Sequence, residues 1–242
     1  MRKIERKILE KVKPDPETER RLKAAIEKLE SLLIEAAARV GKKEGLDYEI
    51  GPMLVGSMAK GTYDKNPDID YFLKFPLKVP EKEMARLGLE IGKSVLDDWE
   101  EKYAQHPYVS GTFQGIEADI VPAYHIESAS ERVSAVDRTP LHTRYVMDNL
   151  PEGGRDEVRL LKSFMKGIGV YGAEGSVQGF SGYMTELIVI KYGSFLEAVE
   201  GVSAWRPGEK IELVKALRKF GDPLVFIDPV DPERNVASAV SV

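Results

Sequence analysis

The 242-residue chain contains no cysteine. That excludes a disulfide scaffold, a thiol nucleophile and a Cys-ligated zinc site. Histidine is scarce as well, at three residues, and neither His106 nor His125 is spaced to a second metal ligand. Long apolar runs are missing: the longest, near Tyr183–Ile190, is short and interrupted by Glu186. No membrane span is expected from it. The N-terminus, MRKIERKILEKVK, is charged throughout and lacks the apolar centre of a signal peptide. The cytoplasm is therefore the expected compartment. A surplus of positive charge is also absent. With a formal net charge of −5, a general basic coat for nucleic acid is excluded, and any nucleic acid must meet a local basic patch.

What is present describes a globular chain, 43% hydrophobic and 31% charged, with room for one large or two small domains. Apolar spacing predicts helices at Lys3–Val12 and Glu17–Val40, the second with Leu22, Ile26, Leu29, Leu33 and Ala37 on one stripe and ended by Gly41 and Gly45. A strand is expected over Tyr48–Val55, an amphipathic helix over Pro80–Trp99, and strands over Lys102–Val109 and Thr112–Tyr124 joined at Gly111. From Thr139 the pattern turns helical, at Leu141–Leu150, Asp156–Gly167 and Ser181–Val199. A loop at 201–209, a short helix at Ile211–Phe220 and a strand at Leu224–Ile227 follow. The change of pattern near 126–135 divides the chain into domains 1–132 and 133–242. The fold class expected is α+β.

The stretch that carries chemistry is residues 54–75, LVGSMAKGTYDKNPDIDYFLKF. Gly56-Ser57 sits where a strand gives way to a short helix, and free N–H groups at such a place suit a phosphate. Asp68 and Asp70 stand at i and i+2 before an apolar run, so a strand there turns both carboxylates to one side. Asp119 sits in a second apolar strand, Ile116-Glu117-Ala118-Asp119-Ile120-Val121. Any one such Asp is more often half of a salt bridge. Three of them after a Gly-Ser turn point instead to divalent cations, whose charge offsets the repulsion of clustered carboxylates. Two basic stripes, Arg155/Arg159/Lys162/Lys166 and Lys210/Lys215/Arg218/Lys219, suit either a phosphate backbone or a solvated helix face. The G-x-G-x-x-G at Gly167–Gly172 follows a helix instead of a strand, which argues against a dinucleotide fold.

GSMAKGT, DIDYFLKF and EADIVPAY resemble the catalytic core of the DNA polymerase beta-like nucleotidyltransferases. SAVDRTPLH, EVRLLKSFMKGIGVYGAE, GFSGYMTELIVIKYGSFLE and DPVDPERNVA resemble the archaeal, class I CCA-adding enzymes. The resemblance implies a palm sheet with helices on one face, followed by a mainly helical, nucleotide-selecting neck. It implies magnesium-dependent addition of C, C and A to a tRNA 3′ end from CTP and ATP, without a nucleic-acid template. Carried over by position, Asp68, Asp70 and Asp119 are the catalytic, metal-binding carboxylates. Gly56, Ser57, Lys60, Lys162 and Tyr171 contact the triphosphate, His142 the nucleotide, and Arg234 the base. Three departures stand out: Asp68 where the family commonly has Glu, Lys60 where it has Arg, and no counterpart here of the family's C-terminal body and tail. The readings left open are a short nucleotidyltransferase with another RNA or protein primer, and a non-catalytic nucleotide-binding module. Monomer and homodimer are equally compatible with the sequence.

Overall fold

The computed structural model describes residues 3–241; Met1, Arg2 and Val242, the outer ends of the two expected domains, lie outside the described residues. Helix α1 (Lys3–Val12) is followed by α2 (Pro16–Glu44), whose ends are locally encoded. Asp15 accepts the Thr18 N–H at 2.8 Å, Pro16 occupies the first helical position, and Gly45 closes the helix in the left-handed conformation. Strand β1 (Gly51–Leu54), the single-turn helix α3 (Gly56–Lys60) and β2 (Ile69–Phe75) come next. Helix α4 (Glu81–Lys93) precedes three antiparallel-linked strands, β3 (Asp97–Tyr103), β4 (Pro107–Phe113) and β5 (Ile116–Tyr124). Then follow α5 (Thr139–Asn149), α6 (Gly154–Gly167), α7 (Gly182–Tyr192), α8 (Phe195–Ser203), β6 (Glu209–Ile211) and β7 (Leu224–Phe226).

Several of these differ from the pattern expected from sequence. The helix expected over Pro80–Trp99 stops at Lys93, and Asp97–Tyr103 is instead an edge strand with every residue exposed. Its charged sequence, DDWEEKY, has no apolar alternation to betray it. Gly111 is not a joint but lies inside β4, where a Cβ would stand 2.7 Å from the Asp97 carbonyl oxygen of the neighbouring strand. The hairpin turn is Gln114-Gly115, both at positive φ, the conformation a two-residue turn with the strands' own twist requires. Ser181–Val199 is two helices, since Gly193 closes α7 and the Ser194 hydroxyl caps α8 by accepting the Glu197 N–H. Ile211–Phe220 forms no helix, because Ile211 is drawn into β6 against Phe226 of β7.

The chain forms two compact units. The sheet unit comprises Pro14–Ala59 and Lys65–Thr143; the helical unit comprises the stretch ending at Lys13, the five residues Lys60–Asp64, and the stretch from Arg144 onward. The sheet unit orders its strands β1-β2-β5-β4-β3, with β2 and β5 parallel and the remaining pairs antiparallel. Strand alternation gives the sheet two unlike faces. Ile69, Tyr71, Leu73 and Ile120 are fully buried; the Tyr71 hydroxyl donates to the Ile26 carbonyl of α2, and Gly88 and Gly92 bring α4 against Pro122, Val109 and Ile120. Helices therefore cover this one face. The opposite face carries Asp70, Phe72, Asp119 and Val121. In the helical unit, Val158, Leu161, Met184, Leu187, Ile188 and Phe226 form a separate core.

A Cβ at Gly92 would lie 2.8 Å from Val109 and 3.3 Å from Ile120. We expect Gly92→Ala to lose about 1–3 kcal/mol in chemical denaturation, the cost of overpacking a filled interface.

Candidate functional site

In the sheet unit, the parallel register pairs Asp70 with Asp119, and the antiparallel register pairs Asp119 with Ser110 and Ser110 with Glu100. These four residues form a row across the sheet face opposite α2 and α4, with about 5 Å between strands. Both Asp70 and Asp119 are half-buried. The Val55 N–H donates to the Asp70 carbonyl at 2.9 Å, which fixes the end of β1 beside the carboxylate. The next residue, Gly56, has φ +69°, and a Cβ on it would lie 2.1 Å from Asp70 Oδ2. Only glycine admits both the backbone turn and the carboxylate at this position. The Gly-Ser turn and the acidic strand are thus one piece of geometry.

Asp68 precedes β2 and is exposed; with Arg21, Lys65 and Glu117 it lines a cleft of about 480 Å³. No group of three acidic or histidine side chains is gathered to chelate an ion among the described residues. Magnesium is commonly held by one or two carboxylates, with substrate phosphates and water completing an octahedron. The all-oxygen pair Asp70/Asp119 fits that demand without a third protein ligand in place. A cation missed by sequence reasoning stands on the same face. Lys102, the register partner of Tyr108, donates to Ser110 Oγ at 3.1 Å and pairs with Glu100 at 3.1 Å. The hydrogen bond to Glu100 raises its amine's pKa, and the Asp119 charge adds to the effect. Burial raises the Tyr108 hydroxyl's pKa, with Asp119 contributing. His142 is half-buried near the start of α5.

The helical unit holds the other candidates. The ammonium of Lys60 is buried and meets Glu186 Oε2 at 2.6 Å, while the Thr62 hydroxyl donates to Glu186 Oε1 at 2.6 Å. Lys162 donates to the Thr62 carbonyl at 2.9 Å; burial lowers its amine's pKa, against the opposing pull of Asp64 and Glu186. Arg155 bonds the Lys60 carbonyl, Arg159 those of Gly61 and Tyr63, and Lys166 the Asp64 carboxylate. The basic stripe of α6 therefore grips residues 60–64. Arg159 and Lys162 are buried in that grip, while Arg155 and Lys166 keep solvent exposure. Lys166 also lies 5.3 Å over the Tyr171 ring, and Tyr171 bridges to Phe180. Arg234 pairs at 2.8 Å with Asp228, which is fully buried and also accepts from the Tyr183 hydroxyl at 3.1 Å. Burial, with Asp228 next in weight, drives the Tyr183 pKa far up, so this hydroxyl stays protonated as a donor.

The family described as "Nucleotidyltransferase domain" matches residues 33–142, and "tRNA nucleotidyltransferase, second domain" matches residues 156–242. Among solved structures, an RNA terminal U-transferase (TM-score 0.68, 14% identity) matches over 99% of this chain and 87% of its own. CdnC with ATP, from E. coli MS115-1, matches over 97% and 85% (TM-score 0.64, 19% identity). At such identities the likeness concerns the fold, and it is that of the polymerase beta-like nucleotidyltransferases. The chain is of that class. CCA-adding enzymes of Thermoplasma volcanium (46% identical, 97% of this chain, 52% of the relative) and Saccharolobus shibatae (48%, 99% and 55%) match nearly end to end. The chain belongs to the archaeal CCA-adding enzyme family and spans about half the length of the curated relatives it matches.

Removing the charge of Glu186 leaves the Lys60 ammonium buried without a counter-charge. Glu186→Gln should cost about 3–5 kcal/mol in urea unfolding, and Lys60→Met combined with Glu186→Leu should recover most of that.

Proposed function

We propose that this chain is the catalytic and nucleotide-selecting part of a cytoplasmic CCA-adding tRNA nucleotidyltransferase. It attaches C, C and A to the 3′ end of tRNA from CTP and ATP, with no nucleic-acid template. The observation that carries the reading is the Asp70–Asp119 pair on the sheet face opposite α2 and α4, with Asp70 packed against the α-carbon of Gly56. A pure nucleotide binder gains nothing from two carboxylates side by side, since triphosphate and carboxylate repel. A transferase needs them.

In the reaction, the 3′-oxygen of the RNA attacks the α-phosphorus, the bond to the bridging oxygen of the β-phosphate breaks, and pyrophosphate leaves. Asp70 and Asp119, with Asp68 drawn in, would hold magnesium ions, which when bound polarise the attacking hydroxyl and neutralise the departing phosphates. The turn at Gly56-Ser57 orients the triphosphate through backbone N–H groups and the Ser57 hydroxyl. Asp119, at the centre of its row, is the acceptor for the hydroxyl proton. His142, Tyr171 and Arg234 contact the incoming nucleotide, Arg234 at its base. Lys60 and Lys162 reach a triphosphate only by exchanging their present partners, Glu186 and the Thr62 carbonyl. The functional division we assign is a palm, or head, over residues 1–132 and a neck over 133–242.

Incorporation of labelled CTP and ATP is measured on tRNA lacking CCA, lacking CA and lacking A. We expect magnesium-dependent extension by the intact chain, and loss of about three orders of magnitude or more in Asp70→Ala and Asp119→Ala. Triphosphate binding without extension of any RNA favours the nucleotide-binding module. Extension of other RNAs but not of tRNA favours the short transferase with a different primer.

A further inference from the structure

Of the two basic clusters in this acidic chain, one is spent internally. Arg155, Arg159, Lys162 and Lys166 of α6 each donate to an acceptor within residues 60–64. An RNA backbone cannot draw on those charges without dismantling that turn. The second cluster has the opposite fate. Its residues form no helix; all but Lys215 border an open cleft of about 420 Å³ beside β6 and β7 in the helical unit, lined by Lys210, Arg218, Lys219, Phe220 and Asp222.

We propose that this cleft binds the phosphodiester backbone of RNA. Lys210, Arg218 and Lys219 are exposed, and Asp222 is the one carboxylate among the lining residues, in a chain whose net charge is −5. Lys210 is paired with Glu212 at 2.7 Å at the surface, an interaction water and salt readily exchange. No described carboxylate pairs with Arg218 or Lys219. The Arg218 guanidinium instead lies 4.6 Å over the Phe220 ring, an attraction that restrains it without consuming its N–H donors. Cations along a groove beside an aromatic ring are the combination that tracks a nucleic-acid strand. The Gly208 N–H donates to the Pro223 carbonyl, closing the wall of the cleft, so the cations are carried on a tied loop. The proposal rests on the RNA-extending reading above and adds to it where the primer's backbone is gripped.

The test compares the intact chain with Arg218→Ser/Lys219→Ser and with a control, Lys23→Ser/Lys82→Ser, that removes two exposed lysines elsewhere. Binding of a tRNA transcript lacking its CCA end is followed across a salt series, with CTP binding measured alongside. We expect the cleft variant to lose about tenfold or more in RNA affinity near 100 mM salt, and its log–log salt slope to shrink by about 1.4–1.8. The control and all CTP affinities should stay within about twofold. Unchanged RNA affinity and slope in the cleft variant overturns the proposal while leaving the transferase reading intact. A shift in CTP binding without one in RNA binding overturns it in favour of a free triphosphate site. If the intact chain binds no RNA, the transferase reading falls and takes the proposal with it.

Discussion

One buried carboxylate determines what residues 60–64 can be. Glu186 sits in the middle of α7, among Met184, Leu187 and Ile188 in an apolar core, where an ionised group is tolerated only with close partners. It has two, the Lys60 ammonium and the Thr62 hydroxyl. The arginines and lysines of α6 then occupy the carbonyls of the same turn. Five residues that begin three positions after Ser57 are thereby made part of the helical unit. Charge inside a core usually reads as a cost. Here the cost is met by charge-assisted hydrogen bonds that fix the shape of a turn carrying almost no apolar surface of its own.

The sheet solves a different problem by separating its two faces. Tyr71, Leu73 and Ile120 meet α2 and α4, and that burial holds β2 and β5 parallel and in register. The face with Asp70 and Asp119 lies opposite α2 and α4 and presents the repelling groups beside Phe72, which is buried against Val55, Val121 and Val136. Register is what makes the pair: slipping either strand by one residue would set Ile69 or Tyr71 opposite Asp119 and turn apolar side chains outward. Stability is supplied on one side and chemistry on the other.

How much of this was legible in the sequence depends on how far each signal travels. Gly56, Asp70 and Asp119 were readable because a turn and two alternating strands are local patterns, and the α+β class followed from them. The start of α2 was readable from Pro16, but the helix runs through Gly41, four residues past the expected Val40, before Gly45 closes it. By contrast, β3 carries no apolar alternation and is defined solely by its pairing with β4. The partners of α6 lie about a hundred positions away, and spacing along a helix cannot reveal what its cations meet; Lys60 and Glu186 are separated by 126 positions. Yet one clue was in plain view. Glu186 interrupts the most apolar stretch of the chain, and an acid in such a setting calls for a cation somewhere else in the sequence.

The outer strand β3 has a consequence for how the molecule behaves in a crowd. An edge strand is a template on which a second copy can add its own. Here that template displays Asp97, Asp98, Glu100 and Glu101, and its register with β4 shifts between Asp97 and Glu100. Two such strands laid side by side would press like charges together along an uneven ladder, so self-templated growth of the sheet is discouraged at the margin where it would otherwise start. The same seven residues that hid from pattern reading thus blunt the sheet's exposed margin.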